Sequence, residues 1–175
     1  VELIRKSGVR PSLFLNSKHV DGYAEYWKGF DGLAPVHAHT ATHPNLTGTS
    51  YEFQRQEICG NAELLRAQLG ARPKLFRPPF GNFDLTTRRA AADCGFTALV
   101  MWTAAVNDGV VQFQAGARLN AGDIVLMHFR HTFVEDFLAF LERCMAIGKL
   151  TAQGQMRPGE QDVAGTVGQM RATRF

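Results

Sequence analysis

The chain has 175 residues, 45% of them hydrophobic and 20% charged, the size and balance of one ordinary globular domain. Its net charge of +3 is spread out, with no block of like charges, which excludes a nucleic-acid partner as a reading and leaves only a mild pull toward anionic polymers. No apolar run approaches the roughly 18 residues of a membrane span. Cys59, Cys94 and Cys144 are odd in number and include no Cys-x-x-Cys pair, so all three are expected to be buried free thiols, which pack as small hydrophobes.

In chain order, residues 1–7 read as the end of a helix. Arg5 and Lys6 suit a C-terminus and Gly8 sits at the cap. A domain seldom opens on the last turns of a helix, so the chain is expected to begin part-way through a fold. Residues 12–15 read as a buried strand and 20–30 as a helix. Residues 34–37 form a short strand that leads into a His-rich loop. Residues 50–69 give the clearest helix, with Phe53, Ile58, Leu64, Leu65 and Leu69 on one apolar stripe and Gly70 as its stop.

Residues 74–76 form a strand that ends in Arg77-Pro78-Pro79-Phe80-Gly81, a turn whose prolines exclude helix. Asp84 caps a helix that runs to Gly95. Residues 96–102 and 123–129 are strands, the second apolar enough to be buried on both faces. Residues 133–147 form the last helix, with Phe137, Phe140 and Leu141 inward. This alternation predicts an α/β fold with parallel strands. From residue 150 large apolar side chains thin out, and 150–175 is expected to be a poorly ordered tail.

Chemistry in such folds collects past the C-terminal ends of the strands, where three segments fall. In His37-Ala38-His39-Thr40-Ala41-Thr42-His43, three of the six histidines lie within seven residues. Neutral imidazole is a preferred zinc ligand, and His39 and His43 have the spacing that converges from one helical turn. Thr40, Thr42 or Asn45 are candidates to fix the ring tautomers. A His-rich surface loop is the bland alternative. Arg77 offers a planar fork for a carboxylate, and its rigid turn a backbone N–H for an oxyanion; an exposed Arg on a stiff turn is the alternative. His128 closes the run Ile124-Val125-Leu126-Met127-His128. It reads as a general acid or as a satisfied histidine at the rim of a core.

Taken together, these segments resemble the polysaccharide deacetylases, carbohydrate esterase family 4. His39-Thr40-Ala41-Thr42-His43-Pro44-Asn45-Leu46 matches the family's metal motif, Arg77-Pro78-Pro79-Phe80-Gly81 its Arg-x-Pro-[Tyr/Phe]-Gly motif, and Leu126-Met127-His128 its Leu-x-His motif. The resemblance covers residues 1–149. It implies a distorted (β/α) barrel holding one divalent metal, usually zinc, with His39 and His43 as ligands and water activated for attack on an acetamide carbonyl. It gives the backbone near Phe80 the oxyanion and His128 the proton for the departing sugar amine. Leu126 would line the acetyl pocket, and Trp102 would wall the sugar groove.

The family's Thr-Phe-Asp-Asp motif, which supplies the third ligand and the catalytic base that Arg77 orients, is absent from the sequence and is expected just before Val1. The family's Asp-rich motif after the Trp is degenerate here, leaving Asp108 as the candidate to tune His128. The implied partner is an N-acetylated, chitin-like or peptidoglycan-like polysaccharide or oligosaccharide, met outside the cell or in the cell envelope. The 175-residue chain alone is expected to be inactive. The alternatives are a non-catalytic glycan-binding module on the same fold and a metal hydrolase of small amides, which would need a closed pocket.

Overall fold

The computed structural model describes residues 1–146 and 172–174. They divide into two compact units, one of residues 11–101 with the strand at 172–174, the other of residues 1–10 and 102 onward.

The first unit is a five-stranded sheet with helical connections. β1 (Leu13–Leu15), β2 (Val36–Ala38), β3 (Leu75–Phe76) and β4 (Ala98–Val100) lie side by side in that order and run parallel. Their core-facing residues, Leu13, Leu15, Ala38, Phe76, Leu99 and Val100, are buried, as the apolar runs predict. Between β1 and β2 the single helix expected at 20–30 is instead two short ones, α2 (Ser17–Val20) and α3 (Ala24–Lys28). Gly22 takes a left-handed backbone between them, a conformation that interrupts a helix and that glycine adopts at little cost.

α4 (Tyr51–Leu69) matches its predicted span, with Ser50 accepting the Phe53 N–H at its start and Gly70 left-handed at its end. Its inward face differs from expectation. Phe53 is exposed, and the buried positions are Gln54, Glu57, Ile58, Asn61, Ala62 and Leu65. Half of that face is polar, which is why an apolar stripe traced through the sequence misplaces it. α5 (Leu85–Asp93) opens on a full capping box between Asp84 and Thr87 and packs on α4.

A Cys59–Cys94 disulfide ties these two helices together across 35 residues of chain. This corrects the expectation of free thiols at both positions: the fold brings a cysteine inside α4 next to the cysteine that caps α5. Cys144 is buried, as expected.

Of the segment 150–175, residues 172–174 form the strand β8 (Ala172–Arg174 in chain numbering), antiparallel to β4. A tail without regular structure does not hold at those three positions. The remainder of that expectation lies outside the described residues.

The second unit contains α1 (Glu2–Ser7), β5 (Ala104–Asn107), β6 (Val110–Phe113), β7 (Val125–Leu126) and α6 (Phe133–Ala146). β5 and β6 form an antiparallel hairpin, and β7 runs parallel to β5. The hairpin turns at Asp108-Gly109, both with positive φ, which is the two-residue turn that Asp-Gly favours. The strand expected at 123–129 is shorter, and burial on both faces fails: Ile124 is buried, Val125 and Leu126 are half-buried, and Phe129 is exposed. On α6, Phe137 and Leu141 are buried.

Replacing Cys59 and Cys94 together by Ser should lower the unfolding free energy by about 2–4 kcal/mol, because the bridge no longer limits the unfolded chain; urea unfolding at equal pH measures it. Asp84 accepts from the Gly48 and Thr87 N–H groups, and these bonds hold its carboxyl below the usual carboxylate range. Its stabilising effect is therefore present above about pH 4 and lost as acid protonates it. Asp84→Asn should keep the cap near neutral pH and flatten the acid limb of the unfolding midpoint between pH 6 and pH 2. Asp84→Ala should cost about 1 kcal/mol throughout the neutral range.

Candidate active site

Parallel pairing sets the site's first row. Leu15 pairs with Ala38, and Ala38 with Phe76, so Asn16, His39 and Arg77 leave three adjacent strands at one level. The Arg77 N–H bonds to the Ala38 carbonyl at 3.0 Å. The Arg77 carbonyl then faces the Nδ1 of His39 at 2.6 Å. A carbonyl only accepts, so Nδ1 carries the proton and the lone pair is left on Nε2, the arrangement of a metal-ligating histidine.

His43 does not reach His39 by the predicted helical turn. Residues 39–43 form a loop in which Thr40 and His43 both have positive φ. The two imidazoles nonetheless meet, with ring centroids 4.8 Å apart. Arg77, not Thr40, Thr42 or Asn45, supplies the carbonyl that sets the His39 tautomer. Thr40 Oγ1 accepts the His43 N–H at 3.1 Å. Thr42 turns to Glu57, and Asn45 Oδ1 accepts from Thr47 N–H. The third histidine of the cluster, His37, lies in β2 with its ring against Phe14. Burial and the Arg77 guanidinium lower its pKa to about 4, so it is neutral at physiological pH.

The Arg77 side chain is buried. Its Nε donates to the Val100 carbonyl at 3.1 Å, and its guanidinium lies 4.1 Å from the centre of the Phe14 ring, a cation–π contact. Burial pulls its pKa down to about 10, so it stays charged at neutral pH. Phe80 sits at φ 60° in the turn Pro79–Gly81. Phe80 is 61% exposed, and its ring packs edge-on to His43 at 4.7 Å, which gives that histidine an aromatic neighbour.

The remaining predicted residues lie in the other unit. His128 is exposed and follows β7; Leu126, within β7, and Trp102 are half-buried. Asp108, the candidate to tune His128, lies 3.5 Å from Arg130. Arg130 also reaches Asn107 and the fully buried Asp136.

Two residues escaped the sequence reading. Asn61 accepts the His39 N–H at 3.0 Å and donates to the Leu15 carbonyl and to Ser17 Oγ. Glu57, one helical turn earlier, accepts both the N–H and the hydroxyl of Thr42 at 2.8 Å. Their spacing of four on a helix otherwise read as amphipathic was the available signal. Among the described residues no group of three or more His, Cys, Asp or Glu side chains is arranged to hold a metal. The donor set present is a pair of imidazoles, one in a fixed tautomer, which fits part of a zinc-type site.

A polysaccharide deacetylase family model matches residues 1–99, and the chain belongs to that family. It is 45% identical over 148 residues to an uncharacterised protein of Streptomyces coelicolor, covering 83% of this chain and 59% of that protein. It is 27% identical over 134 residues to a bifunctional xylanase/xylan deacetylase of Cellvibrio japonicus, covering 73% and 20%. It is 35% identical over 79 residues to chitin deacetylase 1 of Cryptococcus neoformans var. grubii, covering 45% and 16%. The chain thus spans less than two thirds of each of these relatives. Among solved structures, a family 4 carbohydrate esterase from Streptomyces lividans in complex with acetate superposes with a TM-score of 0.72 at 24% identity, over 89% of this chain and 81% of that one. The α/β fold is therefore that of the family 4 carbohydrate esterases.

Asn61→Leu should destabilise the chain by about 2–4 kcal/mol, since it strands the His39 N–H, the Leu15 carbonyl and the Ser17 hydroxyl in the interior. A urea titration beside the wild type reads the loss, and an unchanged midpoint would show that these three bonds hold nothing.

Proposed function

We propose that this chain is part of a metal-dependent hydrolase that removes N-acetyl groups from a polysaccharide containing N-acetylglucosamine. The observation that carries the reading is the imidazole pair, with His39 Nδ1 engaged by the Arg77 carbonyl and His43 at ring contact. His39 and His43 would hold a divalent ion, zinc by donor preference. Such an ion supplies Lewis acidity and lowers the pKa of water. The chain's own residues do the positioning. Arg77 holds a buried positive charge on Phe14, at hand for a carboxylate. Phe80 shields one side of His43 and limits water around it.

The motifs assign His128 the proton for the departing amine, Leu126 the acetyl pocket, Trp102 a sugar-stacking wall and Asp108 the tuning of His128. The chitin deacetylase relative supports an N-acetylated polymer; the xylan deacetylase relative makes acetyl esters the competing substrate. These 175 residues contain no Thr-Phe-Asp-Asp run. With two neutral ligands and no such carboxylate, the chain by itself is proposed to bind metal weakly and to turn over little. The Cys59–Cys94 disulfide supports an extracellular or envelope location, since such bonds persist in oxidising compartments.

A zinc titration followed by thermal unfolding tests the site. Zinc at about a hundred times its dissociation constant should stabilise the native chain by about 2.7 kcal/mol, and His43→Ala should abolish the gain. Equal stabilisation of both chains would refute the site. In the full-length protein, acetate release from chitooligosaccharide should depend on His43. Release from acetylated xylan alone would instead make the enzyme an esterase.

A further inference from the structure

Residues 39–43 carry both candidate ligands along an unfavourable path. Left-handed backbone at a residue with a side chain costs about 1–3 kcal/mol, and the loop contains two such residues, Thr40 and His43. A loop of this kind keeps its shape only if its surroundings hold it. Asn16, Ser17 and Lys18 donate to the carbonyls of His39, Thr40 and Ala41, and the groups that take the loop's N–H and hydroxyl donors at His39, Ala41 and Thr42 come from one face of α4. Asn61 takes the His39 N–H, the Glu57 carbonyl takes the Ala41 N–H at 2.9 Å, and the Glu57 carboxylate takes both donors of Thr42.

Glu57 is an unusual choice for stability alone. Its side chain is 7% exposed, and among the described residues none of the ion pairs involves it. A buried carboxylate is costly unless hydrogen bonds satisfy it. Each of its oxygens is engaged by Thr42, the residue that directly precedes His43.

We propose that Glu57 is a positioning residue for the His39–His43 pair: its carboxylate clamps Thr42 through the N–H and the hydroxyl, and thereby fixes where His43 presents its imidazole. Metal–nitrogen distances tolerate errors of only about 0.2 Å, so a loop freed at Thr42 loses affinity even when both histidines are present. The inference rests on the metal reading above.

The test is titration of the full-length protein with cobalt(II) and with zinc, comparing affinities and the visible absorption of the cobalt form. Glu57→Ala should weaken binding by about tenfold or more, the range for a lost outer partner of a ligand, and should shift the cobalt bands. In Glu57→Gln, Oε1 can accept the Thr42 N–H while Nε2 donates to Thr42 Oγ1, so affinity should stay within about threefold of wild type. Leu65→Ala, which removes packing from the same helix, should lower stability and leave the affinity of the folded protein unchanged.

Wild-type affinity in Glu57→Ala, or a Gln variant as weak as the Ala variant, overturns the proposal. If Glu57→Ala does not fold, Thr42→Val replaces it: a severalfold loss supports the clamp and an unchanged affinity overturns it. A wild-type protein that binds neither ion in a His43-dependent way removes the metal reading itself, and the clamp with it.

Discussion

The site depends on one register. Ala38 lies opposite Phe76 in a parallel pair, and the Arg77 N–H closes onto the Ala38 carbonyl. Because side chains alternate along a strand, a slip of one residue would turn each side chain to the opposite face. Held in register, the residues that follow three neighbouring strands arrive together. Asn16 reaches the His39 carbonyl, and the His39 ring reaches the Arg77 carbonyl. The buried apolar residues of β1 to β4 enforce this register, so core packing and the placement of His39 beside Arg77 follow from the same pairing.

The sheet alone does not bring His43 to His39. That step belongs to the loop, in which α4 engages His39, Ala41 and Thr42 while Asn16 and Ser17 donate to the Thr40 carbonyl. The helix therefore has two tasks on one inward face. Ile58, Ala62 and Leu65 pack against the sheet unit's interior, while Gln54, Glu57 and Asn61 are buried polar groups. Asn61 and Glu57 satisfy backbone donors of the histidine loop, and Gln54 donates to the Thr49 carbonyl. Asn61 and Glu57 are tolerable there because their polar atoms engage partners, whereas Gln54 Oε1 is buried without one among the described residues.

Much of this is legible in the sequence. His39, His43 and Arg77 stood out because chemically committed residues sat at strand ends, and the parallel α/β arrangement followed from alternating periodicities. The span of α4 was readable from the Ser50 and Gly70 boundaries. What failed were features set by tertiary contact. The cysteine pair joins positions 35 residues apart and leaves no local pattern. The polar inner face of α4 makes sense only once the histidine loop is packed on it. The helical geometry inferred for the His39–His43 spacing was wrong because equal spacing also fits a loop with left-handed turns. The hairpin at Asp108-Gly109 was a different kind of failure, since its local turn chemistry was present in the sequence.

The cystine has a further consequence for durability. Between Cys59 and Cys94 lie the second half of α4, β3, the Arg77 turn and most of α5. A protease that nicks the backbone anywhere in this stretch leaves both halves covalently tied. The severed pieces can stay docked and keep Arg77 beside His39.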